Sequence, residues 1–231
     1  MIYFVDDKSG LSKVWEVEFE PTGTVPDDAG LTAVDHVAQT MNYDEMLTWL
    51  LFYTAIFRTR KLPMVDVVDP AGLVRSQVIE SEGIESNGGA LRLTLNGAEN
   101  RRTLAGHFIS ESFGSSVQHL AFACRDIFAT AERLTALGFT TLQISRNYYD
   151  DLEARFGLDP DFADRLRDAN ILYDRDGDGE YFQLYSPNFG EGFFFEIVER
   201  RGGYKGYGAP NAPFRIAAQK RIMRPAGMPK R

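Results

Sequence analysis

Apolar positions in this 231-residue chain gather into short runs whose order repeats. Val34-Asp35-His36-Val37-Ala38 begins a strand, and residues 43–57 follow as a helix with Met46, Leu47, Leu50, Leu51, Thr54 and Ile56 as its apolar stripe. Strand signals return at 64–68, 73–79 and 90–95, with Asn96-Gly97 read as the turn that closes the set. Residues 99–113 read as a loop with short helical turns. Then Val117-Gln118-His119-Leu120-Ala121 matches the first strand position for position in residue type. A helix is predicted over 126–137, capped by Asp126 and ended by Gly138. Strands are predicted at 140–144, 171–173, 181–186 and 193–198. Between them lies a helical pair at 148–156 and 160–167, the second capped by Asp159 with Pro160 in its first turn. Two copies of strand–helix–strand–strand–strand, each opening on a histidine, suggest two like modules packed around one cavity.

The run from Gly190 to Arg200 sets Glu196 among Phe193, Phe194, Phe195, Ile197 and Val198. Alternation puts Phe194, Glu196 and Val198 on one face and Phe195 and Ile197 on the other. A carboxylate aimed into an apolar interior is costly unless it is paired, protonated or bound to a metal. A Glu bonded to an Arg, or an edge strand with Glu196 facing water, would serve equally well from this stretch alone.

Of three histidines, His36 and His119 hold equivalent points of the repeat, 83 residues apart, and Glu196 follows 77 residues after the second. Two histidines and one carboxylate on inward-facing strands match the two-His-one-carboxylate set of non-haem Fe(II) sites, which leaves coordination positions open. Two structural histidines held by backbone bonds are the alternative. His107 reads as a surface residue.

Composition narrows the class. An apolar fraction of 44% suffices for a packed core. Cys124 is the single cysteine, which excludes an internal disulfide and a cysteine-based zinc site and gives no reason to place the chain outside the cytoplasm. No leader pattern opens the sequence, and the longest apolar run, 46–57, is too short to span a bilayer. The net charge of −8 argues against nucleic acid as partner. Nine Lys or Arg and no acid lie from Arg200 onward, read as a solvated terminal helix. Residues 1–33 read as a lead-in strand and linker, with Trp15, Val17 and Phe19 alternating with Glu16, Glu18 and Glu20 and breaks at Pro21 and Pro26. Its apolar face must cover its own domain or another one. Asp174-Arg175-Asp176-Gly177-Asp178-Gly179 opens like a calcium loop, but the twelfth position is Tyr185, and the flanking strands make it a hairpin turn.

The ordered V-D-H, V-Q-H-L-A-F and F-F-F-E-I-V-E-R resemble the C-terminal, metal-binding half of 4-hydroxyphenylpyruvate dioxygenase, over residues 3–222. The resemblance implies an α+β vicinal-oxygen-chelate (glyoxalase/bleomycin-resistance-like) fold, with βαβββ modules at 34–100 and 117–200 in a half-open barrel, and a C-terminal loop and helix over 201–231. It implies His36, His119 and Glu196 as ligands of Fe(II), with Mn, Co or Zn able to occupy the same donors. Substrate-binding roles carry over to Ser76 in G-L-V-R-S, Asn96 in L-T-L-N, Gln118, Gln183 in Y-F-Q-L-Y-S, and Tyr207 in G-Y-G. The implied partners are a small aromatic or cyclic 2-oxo acid and O2, with no nucleic acid and no membrane.

Two departures bear on function. Gly97 stands where the family has Glu, and the ending G-Y-K-G-Y-G-A-P-N-A-P-F-R-I-A-A-Q is closer to the dioxygenase-like domain fused behind bacterial 3-dehydroshikimate dehydratases. That likeness implies an N-terminal domain missing here, and a metal-binding accessory domain as the alternative to a dioxygenase. A glyoxalase-like or epimerase-like enzyme using its metal as a Lewis acid is a third class, for which no fourth protein ligand is evident. A homo-oligomer is compatible with the sequence.

Overall fold

The computed structural model describes residues 2, 8, 10, 13–24, 27–81 and 91–223. The expected break at Pro26, the Ala90 start of a strand and the end of the basic tail lie outside the described residues. The strands are β1 (Leu31–Asn42), β2 (Thr59–Lys61), β3 (Val65–Asp69), β4 (Gly72–Ser81), β5 (Arg92–Ala98), β6 (Ser116–Cys124), β7 (Leu172–Asp176), β8 (Gly179–Tyr185) and β9 (Phe194–Arg201). The helices are α1 (Val14–Glu18), α2 (Met46–Ile56), α3 (Leu104–Glu111), α4 (Ile127–Ala136), α5 (Arg146–Phe156), α6 (Pro160–Asp168) and α7 (Ala212–Ile222).

All nine strands join one mixed sheet in the order β2-β4-β5-β1-β6-β9-β8-β7, with β3 beside β2 on the edge of β4 opposite β5, and the sheet curls into a half-barrel. Its centre is the antiparallel pair β1–β6, flanked by β5 parallel to β1 and β9 parallel to β6. The repeat seen in the sequence is therefore a pseudo-two-fold. Ala38 pairs with Thr94 as Ala121 pairs with Glu196, and Val78 pairs with Thr94 as Tyr185 pairs with Glu196.

The two halves bury unequal cores. Between the second half of the sheet and α4, α5 and α6, side chains such as Ile127, Leu142, Tyr148, Leu152, Leu166 and Phe182 pack in one large cluster. The first half has a small cluster of Met41, Met46, Ile79, Leu93 and Leu95. The cap of Asp126 accepts from the N–H groups of Phe128 and Ala129, that of Asp159 from Asp161 and Phe162. The acidic segment at 174–179 is the β7–β8 hairpin, with Gly177 at φ 57°.

Several expectations are corrected. Residues 14–18 form a short helix instead of a strand, and Trp15, Val17 and Phe19 are exposed. Among the described residues the segment pairs with no strand; it closes helical backbone bonds, and Trp15 and Phe19 meet at 5.5 Å, four residues apart. On α2 the packed face is Met46, Trp49, Leu50 and Tyr53, while Leu47, Leu51 and Ile56 are exposed. Asn96-Gly97 lies inside β5: a Cβ on Gly97 would stand 3.0 Å from Met46 Sδ, so the glycine serves a close approach instead of a turn. Residues 140–144 form no strand: they make no strand ladder, and isolated bonds tie them, among them Leu142 N–H to Tyr185 O at 2.7 Å, Ile144 N–H to Asn170 Oδ1 at 3.2 Å and Arg221 to Gln143 O at 2.7 Å. Residues 104–111 are helical, capped by the Thr103 hydroxyl.

Candidate metal centre

Two β-bulges build the site. Val34 opposes Phe122 and His36 opposes Ala121, so Asp35 is an extra residue on β1. Ala38 opposes His119 and Gln39 opposes Val117, so Gln118 is the matching extra residue on β6. A bulge breaks the alternation of faces and re-aims the side chains beside it. Each of the two histidines and the residue before it are consequently buried together: Asp35 with His36, Gln118 with His119.

His36 and His119 each bring Nε2 to 3.4 Å from the same oxygen, Glu196 Oε2. The imidazoles stand nearly perpendicular, with centroids 5.5 Å apart. The potential ligand atoms of the three residues lie within 4.8 Å of one another, the one such group among the described residues. The other oxygen of Glu196, Oε1, accepts from Gln183 Nε2 at 2.9 Å, Tyr185 OH at 3.2 Å and Tyr181 OH at 3.4 Å. One carboxylate oxygen is thus fixed from behind and the other is presented to the histidines.

Burial opposes the charge on Glu196, but the His36 hydrogen bond, the two imidazoles and Gln183 outweigh it and hold the carboxyl at about 2. Burial, reinforced by that carboxylate, pushes the Tyr181 and Tyr185 phenols well above 10, so both remain donors. The two histidines differ. Burial disfavours a charged His36, yet hydrogen bonds to Asp35 and Glu196 raise its pKa above 6.5. Burial takes His119 down to about 3, its ring stacks on Phe194 at 4.7 Å, and its Nδ1 has no partner among the described residues.

The donor set fits a divalent transition metal. Asp35 Oδ2 lies 2.9 Å from His36 Nδ1, and a carboxylate can only accept there. The Nδ1 proton is thereby fixed and the Nε2 lone pair is left for a metal, the carboxylate–histidine arrangement common at such centres. Two imidazole nitrogens and one carboxylate oxygen suit iron, manganese, cobalt or zinc. At the position on β5 that pairs with Glu196 by pseudo-symmetry, the chain has Thr94, whose buried hydroxyl has no hydrogen-bond partner among the described residues.

His36, His119 and Glu196 open on a cavity of about 540 Å³, with apolar walls that include Val67, Val78, Leu104 and Ile216. Ser76 and Asn96, neighbours across β4 and β5, line it together with Gln118, whose carbonyl accepts from the Thr40 hydroxyl at 2.7 Å. Tyr207 closes one side, its ring edge-on to His36 at 5.4 Å, and burial pushes its phenol up to about 12. Gln183 stands apart from these four. Its amide lies behind Glu196, donating to Glu196 and Tyr185 and accepting from Asn211 Nδ2 at 2.8 Å, and it does not line the cavity. His107 is half-exposed on α3, 3.7 Å from Glu111, and lines neither the cavity nor the His36–His119–Glu196 cluster. Asp35, Tyr181, Tyr185, Arg200 and Asn211 support the site without having been singled out by sequence. All five lie in or beside the quoted motifs, Asp35 in V-D-H, Tyr181 and Tyr185 in Y-F-Q-L-Y-S, but nothing local marked their roles.

A family model described as the Glyoxalase/Bleomycin resistance protein/Dioxygenase superfamily matches residues 33–177. A 3-dehydroshikimate dehydratase of Pseudomonas putida is 40% identical over 94% of this chain and 34% of its own length. A 4-hydroxyphenylpyruvate dioxygenase of Legionella pneumophila is 28% identical over 91% of this chain and 59% of its own. A solved xylose isomerase-like TIM barrel/4-hydroxyphenylpyruvate dioxygenase fusion protein is 43% identical, with a TM-score of 0.67, covering 83% of this chain and 29% of that one. The chain thus spans about a third of the length of the dehydratase it matches. No helix among the described residues is long and apolar enough to cross a membrane.

Proposed function

The chain belongs to the Glyoxalase/Bleomycin resistance protein/Dioxygenase superfamily, and we propose that it is a non-haem Fe(II) domain for O2-dependent oxidation of an aromatic or cyclic 2-oxo acid. The observation that carries this reading is the His36–His119–Glu196 cluster facing the cavity, with Thr94 where symmetry would set a second carboxylate as fourth ligand. A threonine hydroxyl is a poor ligand for a divalent transition metal, so positions remain for a chelating substrate and O2. An epimerase-like Lewis-acid site with four protein ligands is correspondingly disfavoured.

His36, His119 and Glu196 would hold the metal, and the chemistry it supplies when bound is O2 activation coupled to oxidative loss of the 2-oxo acid carboxylate as CO2. The protein's own task is positioning. Asp35 and the three donors on Glu196 Oε1 fix the ligand atoms. Ser76, Asn96 and Gln118 offer hydroxyl and amide groups to the polar edge of a substrate, and Tyr207 with the apolar walls receives a ring and excludes water.

A second reading is a metal-binding accessory domain of a bifunctional dehydratase, favoured by the 40% identity to a 3-dehydroshikimate dehydratase about three times as long. O2 uptake by the Fe(II)-loaded protein separates the two, assayed with 4-hydroxyphenylpyruvate and related aromatic 2-oxo acids, with Glu196→Ala as control. Uptake that the control abolishes is the expected result. Stoichiometric metal without uptake on any of these acids would overturn the dioxygenase reading in favour of the accessory domain.

A further inference from the structure

Arg215, on the first turn of α7, lines the same cavity as the metal centre. Its guanidinium carbon lies 5.0 Å from the Phe194 ring centroid and 5.6 Å from that of Tyr185. Phe194 stacks on His119, and Tyr185 donates to Glu196, so the cation stands one ring away from two metal ligands. Its side-chain hydrogen bond is to the neutral Gln219 Oε1, at 2.5 Å, from one of five N–H donors. No carboxylate among the described residues pairs with it.

The other charges around the cavity are differently placed. Asp69 is buried, bound by Lys220 Nζ at 2.5 Å and by the N–H groups of Ala71 and Leu104. Glu196 belongs to the ligand set, and Asp176 and Lys205 are exposed at the rim. A half-buried guanidinium held between aromatic rings, with most of its donors unused, is arranged to take a planar anion. Its field is strong there because those rings exclude water.

We propose that Arg215 binds a second carboxylate on the substrate, so that the substrate class is a cyclic or aromatic 2-oxo acid bearing an additional ring carboxylate. The inference rests on the reading of the metal centre as a 2-oxo acid site. It narrows that reading, because a substrate whose ring carries only a neutral hydroxyl leaves the guanidinium without its counter-charge.

The test is a titration of the Co(II)-loaded protein, followed by the visible spectrum of the metal, with phenylpyruvate and with its 3- and 4-carboxy derivatives. At least one carboxy derivative is expected to bind about tenfold or more tightly than phenylpyruvate. Arg215→Gln should remove that preference while leaving phenylpyruvate binding and Co(II) stoichiometry unchanged, and Arg215→Lys should retain part of it. No preference in the wild type, or a preference that survives Arg215→Gln, would overturn the proposal while the chelation reading stands. Equal weakening of all the acids by Arg215→Gln would place the guanidinium at the chelating carboxylate and overturn it as well. Acids that leave the Co(II) spectrum unperturbed would overturn the 2-oxo acid reading and this inference together.

Discussion

Arg200 holds Asp35 with a two-pronged grip: Nε meets Oδ1 and Nη2 meets Oδ2, each at 3.0 Å, across 165 residues of sequence. Asp35 in turn accepts from His36, and Arg200 also donates to Gly206 O at 2.5 Å beside Tyr207. Burial works against the Asp35 carboxylate, but hydrogen bonds from His36 and Arg200 keep it ionised well below the usual range. One ion pair therefore fixes the orientation of His36 in the candidate metal centre and pins the segment that walls the cavity.

Asp35→Asn is expected to weaken divalent-metal binding by about 10- to 100-fold, measured by competition with a chelating dye. Arg200→Ala should cost more in folding, roughly 3 kcal/mol or more, because it leaves Asp35 buried without its main counter-charge. Asp35→Asn binding metal as tightly as the wild type would show that the grip is only structural.

Metal affinity should depend on pH through His36. The metal needs a neutral imidazole, His119 at about 3 is already neutral, and Glu196 at about 2 is already ionised. His36 is raised above 6.5, so affinity should fall about tenfold per pH unit below its pKa and level off above it. In metal-free protein the sign is opposite: the protonated His36 stabilises the fold fully below the unfolded value near 6.5, and that contribution disappears as pH rises through the folded pKa. Asp35→Asn should move the binding midpoint to lower pH. A slope of two protons would mean that His119 titrates in the same range.

Thr94→Glu is expected to complete a four-ligand centre. Because Thr94 on β5 matches Glu196 on β9, the new carboxylate should slow metal loss to a chelator and block chelation by 2-oxo acids. Unchanged 2-oxo acid binding would show that the two positions are not equivalent at the metal.

Gly208 has φ 61°, and a Cβ there would stand 2.1 Å from Gln183 Oε1. Gly208→Ala should lower stability by roughly 2 kcal/mol or more and weaken metal binding, since Gln183 steadies Glu196. Gly203→Ala, at φ 75° with nothing within 4 Å, should cost less, roughly 1 kcal/mol, and leave the metal alone. Thermal unfolding of the two variants side by side separates backbone strain from the clash.

The sequence by itself determined the repeat, the helix caps at Asp126 and Asp159, and the candidate trio His36, His119 and Glu196 that the fold brings together. Those features rest on local periodicity and on the cost of a carboxylate in an apolar strand, both of which neighbouring residues record. Tertiary structure alone decided the rest. Asp35 and His36 share one side because a bulge breaks the alternation that the sequence implies, and a bulge exists only once β6 supplies the opposite register. Gln183 is held behind Glu196, where Asn211 Nδ2 donates to its carbonyl, while Ser76, its pseudo-symmetric counterpart, faces the cavity. The exposed faces of α1 and α2 defied their apolar patterns for the same reason: hydrophobicity states what burial would gain, and only the packed chain decides where a partner surface stands.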